Sequence, residues 1–106
     1  MNSMKDREEG FERKFVFDEE LRFKAIARRN RMLGLWAAEK LGKIGADADA
    51  YAREVVISDI EEAGDHDVLR KLRRDFDAAG VAQSDHQIRR TMDELLAQAV
   101  EQVRNG

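Results

Sequence analysis

The chain has 106 residues, 39% of them charged, with a net charge of −3 and neither cysteine nor proline. The missing cysteines exclude disulfides, thiolate metal sites and a cysteine nucleophile. No apolar run approaches the roughly 18 residues of a membrane span or resembles a signal-peptide core, so a soluble cytoplasmic protein without membrane insertion is expected.

Residues 1–18 carry four basic and five acidic side chains and show no apolar stripe, too little apolar surface to fold alone. They are expected to form a flexible N-terminal arm. Phe11 and Phe15 stand four apart and would share a face if the segment became helical on a partner. Phe11, Phe15 and Phe17 are the candidate anchoring rings, and Arg13 and Lys14, with Arg22 beyond the arm, are the candidate partners of acidic groups. The alternative is that these rings fold back onto the bundle as a staple for the first helix, Phe17 with Leu21 before Phe11.

Residues 19–106 predict an all-α four-helix bundle with a long first helix. Without proline, its boundaries rest on glycines and caps. The first helix is expected from Asp18 to Lys43, about 39 Å if continuous. Ile26, Leu33, Trp36, Ala37 and Leu41 share its apolar face, Trp36 is expected to be largely buried, and Gly42 and Gly45 end it. Asp47 or Asp49 is expected to cap the second helix, whose stripe is Ala52, Val56, Ile60 and Ala63, with Gly64 at its end. Asp65 caps a third helix with Val68, Leu69, Leu72 and Phe76 in line, ending at Gly80. Ser84 and Gln87 form a capping box ahead of a fourth, along which Ile88, Met92, Leu95, Ala99 and Val103 recur. Short connections favour antiparallel neighbours.

Charge is unevenly placed. Residues 19–45 sum to +4 and residues 46–106 to −6. Arg22, Lys24, Arg28, Arg29 and Arg31 form a basic cluster on the first helix. No helix-turn-helix pattern surrounds it, and the acidic remainder weakens the field for a duplex, so nucleic acid is not the expected partner. Pairing of Arg28 or Arg29 across the bundle is the simplest role for a single arginine, whereas the whole cluster suits an acidic protein surface.

Catalytic patterns are absent. Lys40 to Gly45 lacks the spacing of a phosphate loop. His66 and His86 each follow an aspartate at a predicted helix start, where solvated or capping histidines are commoner than metal ligands. The pairs Glu61–Glu62 and Asp93–Glu94 diverge along a helix and do not converge on one atom. Neither a metal, nor a cofactor, nor an enzymatic activity is expected.

The stretch from Asp6 to Phe15, Phe23-Lys24-Ala25, and above all the run from Ala27 through Arg28-Arg29-Asn30-Arg31 to Trp36-Ala37-Ala38 resemble the zeta-type inhibitor subunit of the alphaproteobacterial F-type ATP synthase. Tyr51 to Val56, Glu61 to Gly64, Leu72 to Phe76 and Met92 to Leu96 extend the resemblance over nearly the whole chain. It implies a four-helix bundle with a mobile inhibitory arm on residues 1–18. That arm would fold into a catalytic interface of the F1 head, between its alpha, beta and gamma subunits, and block rotation in the hydrolytic direction. It also implies a cytoplasmic location, peripheral to the inner membrane through the ATP synthase. The second reading is a helical adaptor or weak sensor of adenine nucleotides without inhibitory activity, with Arg28, Arg29 and Lys40 as phosphate contacts.

Overall fold

A computed structural model describes residues 19–61 and 65–105. Within them lie four helices and no strand: α1 (Glu19–Lys40), α2 (Gly45–Glu61), α3 (Asp65–Ala79) and α4 (Asp85–Asn105). The all-α four-helix expectation holds. The expected arm, Asp18, Ala63, Gly64 and the side chain of Asp65 lie outside the described residues.

The helix ends follow from local chemistry. Glu19 and Glu20 sit in the first turn of α1 and Lys40 in its last, each charge opposing the helix dipole. At the C-terminus Lys43 N–H donates to the Ala38 carbonyl at 2.8 Å and Gly42 N–H to that of Glu39 at 3.1 Å. This pair of bonds places Gly42 in the left-handed region, φ 77°, and ends α1 at Lys40 rather than Lys43. The end of α3 repeats it: Val81 N–H donates to Phe76 and Gly80 N–H to Asp77. Gly45, expected to end the first helix, instead opens the second. Asp47 therefore lies in the first turn of α2, and neither Asp47 nor Asp49 is its cap. The capping box of α4 is formed as expected, with Gln87 N–H donating to Ser84 Oγ at 3.1 Å and Ser84 N–H to Gln87 Oε1 at 2.9 Å.

α1 is the central element, packed between α2 and α4. Ala25, Arg29, Leu33 and Ala37 recur every four residues on its buried side, and Asn30, Gly34 and Ala38 form a second line beside them. The second line is small because α2 comes very close. A Cβ placed on Gly34 would stand 2.5 Å from the Cα of Ala52, so glycine is what admits this approach. Leu33, Ala37 and Ala38 join Tyr51 and Val55 of α2, Val68, Leu69, Leu72 and Phe76 of α3, and Ile88 and Met92 of α4 in one core. The expected stripes of α3 and α4 are thus in place.

Two stripe assignments change. On α2, Tyr51, Ala52 and Val55 are buried, while Val56 is half-buried and Ile60 is 64% exposed. Val56 and Ile60 lie one and two turns beyond Ala52 on the same line of α2, toward the Phe23 end of α1, where the core no longer covers them. Trp36 is partly buried, packed against the core rather than enclosed within it. It lies at the rim of the core, edge-on to Phe76 with centroids 5.8 Å apart, and the Lys40 ammonium stands 6.0 Å from its ring centroid.

Polar clasps hold the outer helices. Tyr51 donates its hydroxyl to Asp75 Oδ2 at 2.7 Å, and Lys71 donates to the same oxygen at 3.0 Å, tying α2 to α3. Burial, and secondarily the hydrogen bond and charge of Asp75, push the Tyr51 phenol well above its ordinary ionisation range. Arg73 pairs with Asp77 one turn on along α3 and with Asp85 of α4, 3.1 Å each, and donates to the Gln83 carbonyl, which holds the α3–α4 loop against α3.

Candidate partner-binding surface

All five members of the basic cluster, with Lys40, are sorted by rotation around α1. Arg22, Lys24, Arg28, Arg31 and Lys40 are exposed, whereas Arg29 is 1% exposed and donates through Nε to Asn30 Oδ1 at 2.7 Å. Its place in the i, i+4 line between Ala25 and Leu33 is what buries it. Arg28 crosses to α4, where Nη1 donates to Gln102 Oε1 at 3.2 Å; the group it meets there is a neutral amide. Lys24 pairs with Glu20 at 3.1 Å with both side chains largely exposed, an arrangement worth little in stability.

Arg28, Arg29 and Lys40, named as phosphate contacts, are not brought together. Arg28 and Lys40 are separated by twelve residues of one helix, a rise of about 18 Å, and Arg29 faces the interior. Phe11, Arg13, Lys14, Phe15 and Phe17 lie outside the described residues, and Arg22 stands on the first exposed turns of α1. His66 and His86 are exposed. Among the described residues there is no group of three metal-ligating side chains, and no helix is long and apolar enough to cross a membrane.

One feature of this surface has no counterpart in the sequence reading. Where α1, α2 and α4 meet there is a groove of about 650 Å³. Ala27, Val56 and Val103 contribute its apolar lining, Phe23 stands at one end, and Lys24, Arg28, Arg31 and Arg53 surround it. Arg53 is far from the others in sequence and reaches them because α2 runs antiparallel to α1. The only signal in the sequence was the pair Arg53 and Val56, three apart on one face of the second helix.

The class defined by this geometry is a small all-α bundle with a basic, grooved face on its first helix. The chain belongs to the ATPase inhibitor subunit zeta family, whose model matches residues 1–102. Members of that family are regulatory subunits rather than catalytic ones. A protein solved by solution NMR is similar in fold and sequence, with a TM-score of 0.70 and 46% identity over 80% of this chain and 96% of that one. No curated protein matches the sequence.

Proposed function

We propose that this chain inhibits ATP hydrolysis by an F-type ATP synthase, with residues 1–18 entering a catalytic interface of the F1 head and the bundle remaining outside as a rigid base. The single observation that supports this is the family match, which runs from residue 1 and so includes the arm as well as the bundle. In this reading Phe11, Phe15 and Phe17 provide the buried anchoring area on alpha, beta and gamma surfaces, and Arg13, Lys14 and Arg22 pair with carboxylates there. The arm is a wedge that opposes rotation, and no cofactor or bond chemistry of its own is involved. The protein works at the cytoplasmic face of the inner membrane, held there by the synthase. The adaptor or nucleotide-sensor reading gains nothing from the geometry, since Arg28, Arg29 and Lys40 share no site.

The test is ATP hydrolysis by purified F1 titrated with the full chain and with Phe11→Ala/Phe15→Ala. Removal of two central rings is expected to weaken inhibition by about 2–4 kcal/mol, the scale of interface hot spots, with helix content and thermal midpoint unchanged. Equal inhibition by parent and variant would show that the arm is not the wedge. Failure of the parent to inhibit would put the adaptor reading first.

A further inference from the structure

The groove between α1, α2 and α4 combines two properties that ordinary surface does not. First, most of its positive charge is uncompensated. Arg31 and Arg53 are exposed and have no ion-pair or hydrogen-bond partner among the described residues, Arg28 meets only the amide of Gln102, and Lys24 meets only the exposed Glu20. Second, its apolar lining continues onto open surface. Phe23 is 66% exposed, and Ile60, one turn beyond Val56 on the same face of α2, is 64% exposed. Single exposed apolar side chains are unremarkable, but a cluster beside a cationic rim marks an interaction site.

The dimensions narrow the occupant. From Phe23 to Arg31 the groove follows α1 for about 12 Å, a little over two helical turns. That length accommodates an apolar stripe at i, i+3 or i+4, and i+7 of a docked helix. A small anion would satisfy the arginines and leave Phe23, Val56 and Val103 uncovered. A nucleic-acid backbone would do the same, and would meet the −6 charge of residues 46–106 nearby.

We propose that the groove docks an acidic amphipathic helix on the surface of the F1 partner. Its apolar stripe covers Phe23, Val56 and Val103, and its flanking carboxylates meet Arg28, Arg31 and Arg53. The identity of the partner rests on the inhibitory reading above; the new element is a second contact, on the folded bundle, that captures F1 before the arm inserts. Because α1 continues from the arm, docking at Phe23 to Arg31 would hold residues 1–18 close to their target and raise their effective concentration there.

The experiment uses the full chain and the variant Arg31→Glu/Arg53→Glu, whose altered positions are exposed and outside the core. Helix content and thermal midpoint should match the parent. Binding to immobilised purified F1, followed at low and high salt, should weaken about ten- to hundredfold at low salt. Most of that loss should lie in the association rate, and it should shrink as salt rises. At saturating concentration the variant should still inhibit hydrolysis, because the arm is intact. Conversely, Phe11→Ala/Phe15→Ala should keep residual F1 binding that the combined four-site variant lacks. Equal F1 binding by the parent and Arg31→Glu/Arg53→Glu would overturn the docking groove while leaving the inhibitory function standing. If the parent neither binds nor inhibits F1, the function reading fails instead, and the groove is then decided by a synthetic helix with a leucine stripe flanked by glutamates. Amide shifts at Phe23, Val56 and Val103 that disappear in Arg31→Glu/Arg53→Glu would support the groove. No shifts, or the same shifts produced by inorganic phosphate, would overturn it.

Discussion

Replacing Gly34 with alanine sets two effects of opposite sign against each other. Alanine is the better helix former, and at an interior helical position it should stabilise by about 1 kcal/mol relative to glycine. In this fold, however, the new Cβ would stand 2.5 Å from the Cα of Ala52, 3.1 Å from its Cβ and 3.3 Å from its carbonyl oxygen. Carbon atoms settle at about 3.5–4.0 Å, so α1 and α2 must separate by about 1 Å or more. The atoms in the way are the backbone and Cβ of Ala52, none of which a rotamer change can move. Separation would loosen Leu33, Ala37 and Ala38 against Tyr51 and Val55, a central part of the core. Such overpacking costs about 1–3 kcal/mol, and a backbone clash belongs at the upper end. The expected net effect of Gly34→Ala is therefore a loss of about 1–2 kcal/mol, a sizeable share of the stability of a small domain. Gly34→Val should lose more. Urea denaturation followed by far-ultraviolet circular dichroism measures both. A gain of about 1 kcal/mol for Gly34→Ala would refute the close packing of α1 on α2, because only the propensity term would then be left.

Trp36→Ala should lower stability by about 2–3 kcal/mol, less than the truncation of a fully buried aromatic, because the half-buried indole gives up its edge contact with Phe76 and only part of its area; a thermal midpoint equal to the parent's would show that the ring contributes nothing to the core. Tyr51→Phe removes the hydroxyl bond to Asp75 and should cost about 1–2 kcal/mol at neutral pH. Because the fold raises the ionisation of that phenol, the native state keeps a proton that the unfolded chain releases, so the contribution is whole below about pH 10 and is lost as pH rises beyond it. Parent and Tyr51→Phe should thus converge in stability under alkali, and a constant difference across that range would contradict the assignment. Ser84→Ala breaks the capping box of α4 and should cost about 1 kcal/mol in denaturant; no change would mean that the Ser84–Gln87 exchange is not formed in solution.

Much of the bundle could be read from periodicity, and where the reading failed the cause is specific. On α3 and α4 the large apolar residues fall on one face only, so Phe76, Ile88 and Met92 were placed in the core correctly. On α2 the run Val55-Val56-Ile57 with Ile60 offers apolar side chains in several directions. Periodicity alone does not choose between them, nor does it tell how far along α2 the core extends: Ala52 is fully buried, while Val56 and Ile60 on the same line are less so. On α1 charge was the misleading sign. Arg29 reads as a member of the basic cluster or as a partner of acidic groups across the bundle, yet it is buried together with Asn30, and their mutual hydrogen bond offsets part of the desolvation. The spacing of Asn30, Gly34 and Ala38 was the available clue, a line of small or compact residues at i, i+4 where another helix can come close. The groove was out of reach for a different reason. It joins Arg53 to Lys24, Arg28 and Arg31 through tertiary packing, and no local pattern encodes which faces of two antiparallel helices end up adjacent.

The small contact at Gly34 and Ala52 therefore bears on function as well as on stability. By drawing α2 tightly onto α1, it points the line of Ala52 and Val56 along α1, with Val56 half-buried beside the exposed arginines of that helix. The arm is attached to this same helix at Glu19, one turn before Phe23. In the proposed mechanism a wedge must resist a load, and it can do so only when its base is fixed. α1 meets that need because it is clamped on both sides, by α2 and by α4. Arg29, buried at its middle, belongs to that clamp, whereas Arg28 and Arg31, its close neighbours in sequence, belong to the surface that meets the partner.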